Sequence, residues 1–270
     1  MTELGLDIHG NLLRIEADTR DAADIVRTLF PSYVAPEGTS GPYRLRIETS
    51  GGDYRLTRGA RRSDVAREDL PTVVEHAISR LLLEETRELV PLHAAGVESG
   101  GRRLLVLGDS GAGKSSMALA WSRTGYPILG DDVVFLDGEL TAHPFMKPLK
   151  VATDRAVALG VSLRDTLYWE EDAEEVWYDP TWGGGWAGPG PVAGLAFLER
   201  RTEGAYEARS LPADECLELL LGQLMETGSS TQAWTPSLIE LAGNVPAQAV
   251  SFSDSRDAAE RLARWDPPPR

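Results

Sequence analysis

Residues 108–115 read Gly-Asp-Ser-Gly-Ala-Gly-Lys-Ser, and this octapeptide constrains the fold more than any other stretch of the chain. It satisfies G-x-x-x-x-G-K-[ST] at every fixed position. Average residue usage gives such a match roughly a 1% chance in a chain of this length. Each part has a physical reason. Glycines let the backbone turn tightly enough for successive N–H groups to face one point. A helix that starts there offers its positive end to an anion. Lys114 would bring a mobile point charge to the β- and γ-phosphates of a nucleotide, and the Ser115 hydroxyl suits Mg²⁺. The flanks supply the context. Residues 104–107 (LLVL) are an apolar run, as expected of a strand buried on both faces. Residues 114–123 follow as a helix, with Gly125 as its stop. The expected cradle is Gly108, Asp109, Ser110, Gly111, Ala112, Gly113, Lys114, Ser115 and Ser116. A loop that binds some other anion is the minor alternative.

The next β-like run, residues 127–136 (PILGDDVVFL), is interrupted by Asp131 and Asp132. Asp132 follows Lys114 by 18 residues (132 − 114), so the very next strand would bring carboxylates to the phosphates. One carboxylate suits Mg²⁺, and another can accept the proton of an incoming hydroxyl. Adjacent strand residues point to opposite faces, so only one of the pair can face the γ-phosphate unless the chain bends. Taken alone, Gly130-Asp131-Asp132 reads as an exposed turn; its distance from the loop favours the site. His93 lies 21 residues before Lys114 (114 − 93) among small apolar residues. A satisfied core histidine is at least as good a reading of it as a site residue.

The rest of the chain sets bounds. It has 270 residues, 42% apolar and 26% charged, which is the composition of a folded globular protein of one or two domains. Its single cysteine, Cys216, excludes an internal disulfide and a cysteine-rich metal site. No apolar run approaches the roughly 18 residues of a membrane span, and the start lacks a signal pattern. These features fit a cytoplasmic address. The net charge of −15 argues against nucleic acid and anionic membrane as partners. Only three of 27 basic residues are lysines: Lys114, Lys147 and Lys150. The last two either add charge near the phosphates or sit in a solvated turn.

Periodicity predicts a small N-terminal α+β domain over 1–88 and an α/β nucleotide-binding domain over 89–270. The first holds a strand at 12–17, a helix at 18–30 closed by Pro31, a hairpin of 43–48 with 54–58, and a helix at 68–89. The second ends in helices at 213–226, 236–242 and 255–265, with a strand at 247–252 and a frayed end at 267–269. Residues 166–191 hold Trp169, Trp177, Trp182 and Trp186, an acidic stretch over 170–175 and three consecutive glycines. They read as a long loop or flap. Its tryptophans either pack into a core or interface, or close over the site as a lid, with packing slightly ahead. The acidic stretch is a solvated face or an attraction for a basic acceptor.

The order His93, then 108–116 (GDSGAGKSS), then 125–133 (GYPILGDDV) closely resembles the catalytic domain of HPr kinase/phosphorylase, a distant cousin of the phosphoenolpyruvate carboxykinase fold. The likeness covers roughly residues 91–152, and 143–150 (HPFMKPLK) resembles that family's Phe-Pro-rich stretch. It implies a P-loop core of the HPr kinase type, ATP and Mg²⁺ as cofactors, and a serine hydroxyl on a protein as acceptor. It implies Asp132 as general base, Asp131 and Ser115 at the metal, His93 tuning the aspartate, and Lys114 on the triphosphate. Related enzymes assemble into rings, so a homo-oligomer is implied as well. The family's later glycine-rich signature has no counterpart here, which leaves phosphorolysis open. The chain is also similar to kinases of lasso-peptide precursors, which act on ribosomally made peptides. Two alternatives stay open: a kinase of a small alcohol or amino acid, and a nucleotide-binding ATPase switch.

Overall fold

Alternation in 12–17 decides how the first sheet is built. Leu13, Ile15 and Ala17 are buried on one face, while Arg14 stays on the other. The computed structural model describes residues 1–39, 41–168, 173–227 and 233–266, and the chain divides into two units. The first, Met1–Thr86, is a five-stranded sheet in the order β1 (Thr2–Ile8), β2 (Asn11–Ala17), β3 (Tyr43–Ser50), β4 (Asp53–Arg58), β5 (Arg61–Val65). β2 and β3 are parallel and joined through α1 (Arg20–Leu29); the other neighbours are antiparallel hairpins. Thr19 caps α1 by accepting the Ala22 N–H at 3.3 Å. α1 buries Ala22, Ala23, Val26 and Leu29 and packs beside α2 (Leu70–Glu85). α2 is shorter than the 68–89 expected: it starts at Leu70 with Pro71 in its first turn, and an extended Thr86 ends it before the strand at 90–92. On the sheet's other face, buried Glu16 pairs with Arg44 and with Arg14 at 3.0 Å, while Arg46 stands at 3.9 Å. The hydrogen bond from Arg44, against the opposing effect of burial, holds its carboxyl below the usual carboxylate range.

The second unit begins at Arg87 and is mixed α/β. Its centre is β8 (Arg102–Leu107) running parallel to β14 (Gly190–Arg200), which in turn is parallel to β16 (Ala247–Phe252). β15 (Glu207–Ser210) closes that side antiparallel to β16. On the other side lie β7 (Ala94–Ser99) and then β9 (Ile128–Gly130), each antiparallel to its neighbour. A branch of β11 (Thr141–Pro144), β10 (Val134–Leu136) and β6 (Val90–Leu92) grows from the start of β14. A separate ribbon pairs β12 (Leu149–Ala152) with β13 (Glu175–Tyr178), and α4 (Thr153–Ala158) follows β12.

The period of β8 explains its uninterrupted apolar run. Leu104 and Val106 join a core beneath α3 (Lys114–Arg123) and α7 (Ser255–Ala263). Leu105 and Leu107 join the opposite core beneath α5 (Ala213–Leu221) and α6 (Thr235–Asn244). Trp121 of α3, fully buried, donates its indole N–H to the Ala259 carbonyl at 2.7 Å and ties the two helices of the first core together. No described helix is long and apolar enough to cross a membrane.

The stretch expected as a flap is largely docked. Residues 175–178 form β13, residues 180–182 a 3₁₀ turn, and β14 starts at Gly190. The glycines allow close backbone approach: a Cβ on Gly184 would lie 2.0 Å from the Tyr126 carbonyl oxygen. Trp177 is buried in the ribbon and Trp186 packs on the core beneath α3. Trp169, residues 170–172 and residues 267–269 lie outside the described residues.

Candidate functional site

β8 ends at Leu107 and α3 starts at Lys114, so 108–113 form a six-residue connection at the C-terminal end of a central strand. Gly108, Gly111 and Gly113 all have positive φ, at 149°, 83° and 105°. Gly113 is one position that admits no other residue easily, as is Gly108, where a Cβ would lie 2.9 Å from the Leu198 carbonyl oxygen. Gly113 is left-handed, and a Cβ there would also meet the Phe252 ring at 3.2 Å. Lys114 then folds back under the loop. Its Nζ donates to the carbonyls of Gly108 at 2.6 Å and Asp109 at 3.2 Å, and the residue is buried. Burial lowers the Lys114 pKa, and the charges of Asp132, Asp109 and Asp131 oppose that shift.

A cleft of ≈ 450 Å³ opens in front of this loop. Ser110, Gly111, Gly113, Lys114, Ser115 and Ser116 line its floor. Gly108, Asp109 and Ala112 shape the floor from behind, the first two through the carbonyls that hold Lys114 and the third as part of the core beneath α3. His93, Asp131 and Asp132 line the facing wall, so the cleft collects residues from β6–β7, the loop and the turn after β9.

That turn corrects the expectation of one continuous strand over 127–136. The strand breaks into β9 and β10, and Asp131 and Asp132 occupy the bend between them. Because the chain bends, both carboxylates reach the cleft instead of one. Phe145 pins the bend. Its N–H donates to the Leu129 carbonyl at 2.8 Å, and its ring meets Phe135 edge-on with centroids 6.0 Å apart. Asp131 is buried, whereas the Asp132 side chain is 46% exposed, open to an incoming group.

His93 is not sealed in the core: its Nε2 stands 3.4 Å from Asp132 Oδ1. Hydrogen bonding with His93 holds the Asp132 carboxyl below the usual range; burial opposes it, and Lys147 and Lys114 add to it. Lys147 is therefore no solvated turn residue. It is buried and acts on Asp132. Lys150 lines the cleft but is paired, with Glu175 at 2.8 Å and the Trp177 ring at 5.6 Å. Trp177, Trp182 and Trp186 are absent from the cleft wall among the described residues, so the lid, the lesser of the two readings, is not formed there, while Trp177 and Trp186 follow the packing reading.

Three residues of this region went unnoticed in the sequence. Gln223, just past α5, accepts the Gly108 N–H on Oε1 at 3.2 Å, and its backbone carbonyl accepts the His93 N–H at 2.8 Å. One residue thus fixes the start of the loop and the histidine together. A lone glutamine carries no motif to reveal this. Arg155 and Arg200 also line the cleft. Arg200 ends β14 at the same sheet edge as the loop, and recognising that strand would have pointed to it.

For a divalent cation the wall offers the Ser115 hydroxyl and the Asp131 carboxylate, both hard oxygen donors. Among the described residues no group of three or more His, Cys, Asp or Glu stands ready to hold a metal. This donor set fits Mg²⁺, which keeps most of its shell as water and phosphate oxygens, and does not fit a closed protein cage. Comparison with protein-family models and with curated proteins gives no match for this chain.

Proposed function

We propose that the chain is an ATP- and Mg²⁺-dependent phosphotransferase with a P-loop core of the HPr kinase type. Its acceptor is a hydroxyl, most simply a serine, on a peptide or protein. One observation carries this reading: the glycine loop with its buried lysine and the ionised, half-exposed Asp132 line the same cleft.

Phosphoryl transfer asks a protein mainly for positioning and charge stabilisation. The loop N–H groups and the N-terminal end of α3 receive the β- and γ-phosphates, with Lys114 as point charge. Mg²⁺ held by Ser115 and Asp131 would supply Lewis-acid neutralisation of phosphate charge. Asp132 takes the acceptor's proton as its oxygen bonds to the γ-phosphorus. The bond from that phosphorus to the β–γ bridging oxygen breaks, leaving ADP and a phosphate ester. His93 orients Asp132 and keeps it charged at the pH where a hydroxyl must be deprotonated.

The test uses labelled ATP, Mg²⁺ and serine-containing peptides. Asp132→Asn lowers transfer by about 10²–10⁴-fold, the usual worth of a general base, and leaves ATP affinity near that of the parent. Lys114→Ala weakens both. Transfer by Asp132→Asn at the parent rate would refute the base assignment. Phosphate release at one rate with and without any acceptor would point to the ATPase switch instead.

A further inference from the structure

Next to the cleft lies a second chamber of ≈ 240 Å³, and the two share Ser116, Arg155 and Arg200. The chamber's own wall differs in character. Ala158 and Leu159, at the end of α4, give it an apolar side, and Ser255 at the start of α7 gives it a hydroxyl, next to Ser253, whose hydroxyl donates to the Gly204 carbonyl at 2.7 Å. Arg256, in the first turn of α7, reaches across to the Ala158 carbonyl at 3.4 Å and braces the two sides. Asp254 is committed elsewhere, since its carboxylate accepts the Arg256 and Asp257 N–H groups and caps α7. Neither Asp132 nor His93 reaches the chamber.

The neck between the cavities is cationic. Arg200 faces both of them, and among the described residues its guanidinium has no hydrogen bond or ion pair. Acidic groups outnumber basic ones, 42 to 27, so a partly buried arginine turned to these cavities with none of their carboxylates paired to it stands out. Such a group matches a planar pair of anionic oxygens. Arg155 beside it is only loosely paired, 3.4 Å from the exposed Asp154.

Resting on the nucleotide reading above, we infer that the smaller chamber receives the nucleoside and that Arg155 and Arg200 grip the α-phosphate at the neck. The β- and γ-phosphates then extend along the loop towards Asp132, and the acceptor enters from the His93 side. Size agrees, since the cleft and chamber together fall within the roughly 300–1,000 Å³ of small-ligand sites. So does chemistry: apolar surface suits the faces of a base, and a serine hydroxyl suits ribose or a base edge.

The experiment is calorimetric titration of the full chain with ATP and, separately, with inorganic tripolyphosphate, each variant being checked by thermal melting. Ala158 is at the surface, so Ala158→Trp fills the chamber without disturbing a core. It should weaken ATP at least tenfold and leave tripolyphosphate unchanged. Arg200→Ala should weaken both ligands by about tenfold, the loss of one charge-assisted hydrogen bond. Parent-like ATP affinity in Ala158→Trp overturns the chamber assignment, and parent-like affinity in Arg200→Ala overturns the neck. If the parent chain binds neither ligand, the nucleotide reading itself fails, and this inference falls with it.

Discussion

Gln223 is the sharpest place to test how the site is held, because its effect follows from the fold and not from any assumed ligand. Its side-chain carbonyl is the acceptor of the Gly108 N–H, inside the protein. Gln223→Leu keeps the backbone carbonyl that holds His93 but removes that acceptor. A buried N–H left without a partner costs about 1–3 kcal/mol. For a domain of 150–250 residues each kcal/mol moves Tm by about 2–4 °C, so the variant should melt roughly 2–12 °C lower. Gln223→Glu retains an oxygen at the same reach and, melted at a pH low enough to keep that buried carboxyl uncharged, should recover most of the loss. Circular dichroism melts of the three proteins decide the matter. If Gln223→Leu melts within about 1 °C of the parent, the Gly108 bond holds nothing, and the account of the loop's anchoring is wrong.

Other outcomes follow from single residues. For the proposed transfer, the depressed Asp132 pKa predicts an acid limb below the ordinary aspartate value of about 3.9; His93→Ala removes its main cause, so a pH–rate profile should show that limb moving up. Glu16 titrates below its unfolded value, so its stabilising effect is complete above pH about 4.3 and fades as pH falls through the folded pKa. Acid melts of Glu16→Gln should lack that part of the pH dependence. Gly184→Ala, whose Cβ would strike the Tyr126 carbonyl at 2.0 Å, should lose 1–3 kcal/mol or more in denaturant melts. Gly188→Ala, with nothing within 4 Å of its Cβ, should melt as the parent does.

The elements legible in the sequence were those long enough to show a period. α3 runs over the 114–123 expected, and β2, β16 and the β3–β4 hairpin lie within a residue or two of their expected bounds. Strands of three or four residues, such as β6, β9, β10 and β13, are too short to carry alternation, and pairing alone creates them. β5 (RRSDV) is nearly all exposed and holds its place by pairing with β4. Pro191 and Gly194 hid β14, the central strand, behind residues that usually interrupt strands. At the site, the loop, Asp131, Asp132 and His93 share one cleft because the chain between 93 and 132 assembles locally. Gln223, Arg155 and Arg200 arrive from distant segments, and their side chains form no local pattern.

The way Lys114 is held has one more consequence. Two of the three N–H donors of its ammonium already go to the chain's own carbonyls, so an anion meets the third directly and gains more of the ammonium only by exchanging those two bonds. A singly charged or small oxyanion gains little from such a swap. A chain of phosphates that reaches several donors at once gains much more. In the proposed site the lysine would therefore act as a threshold, favouring a ligand long enough to engage the whole turn over a small inorganic anion.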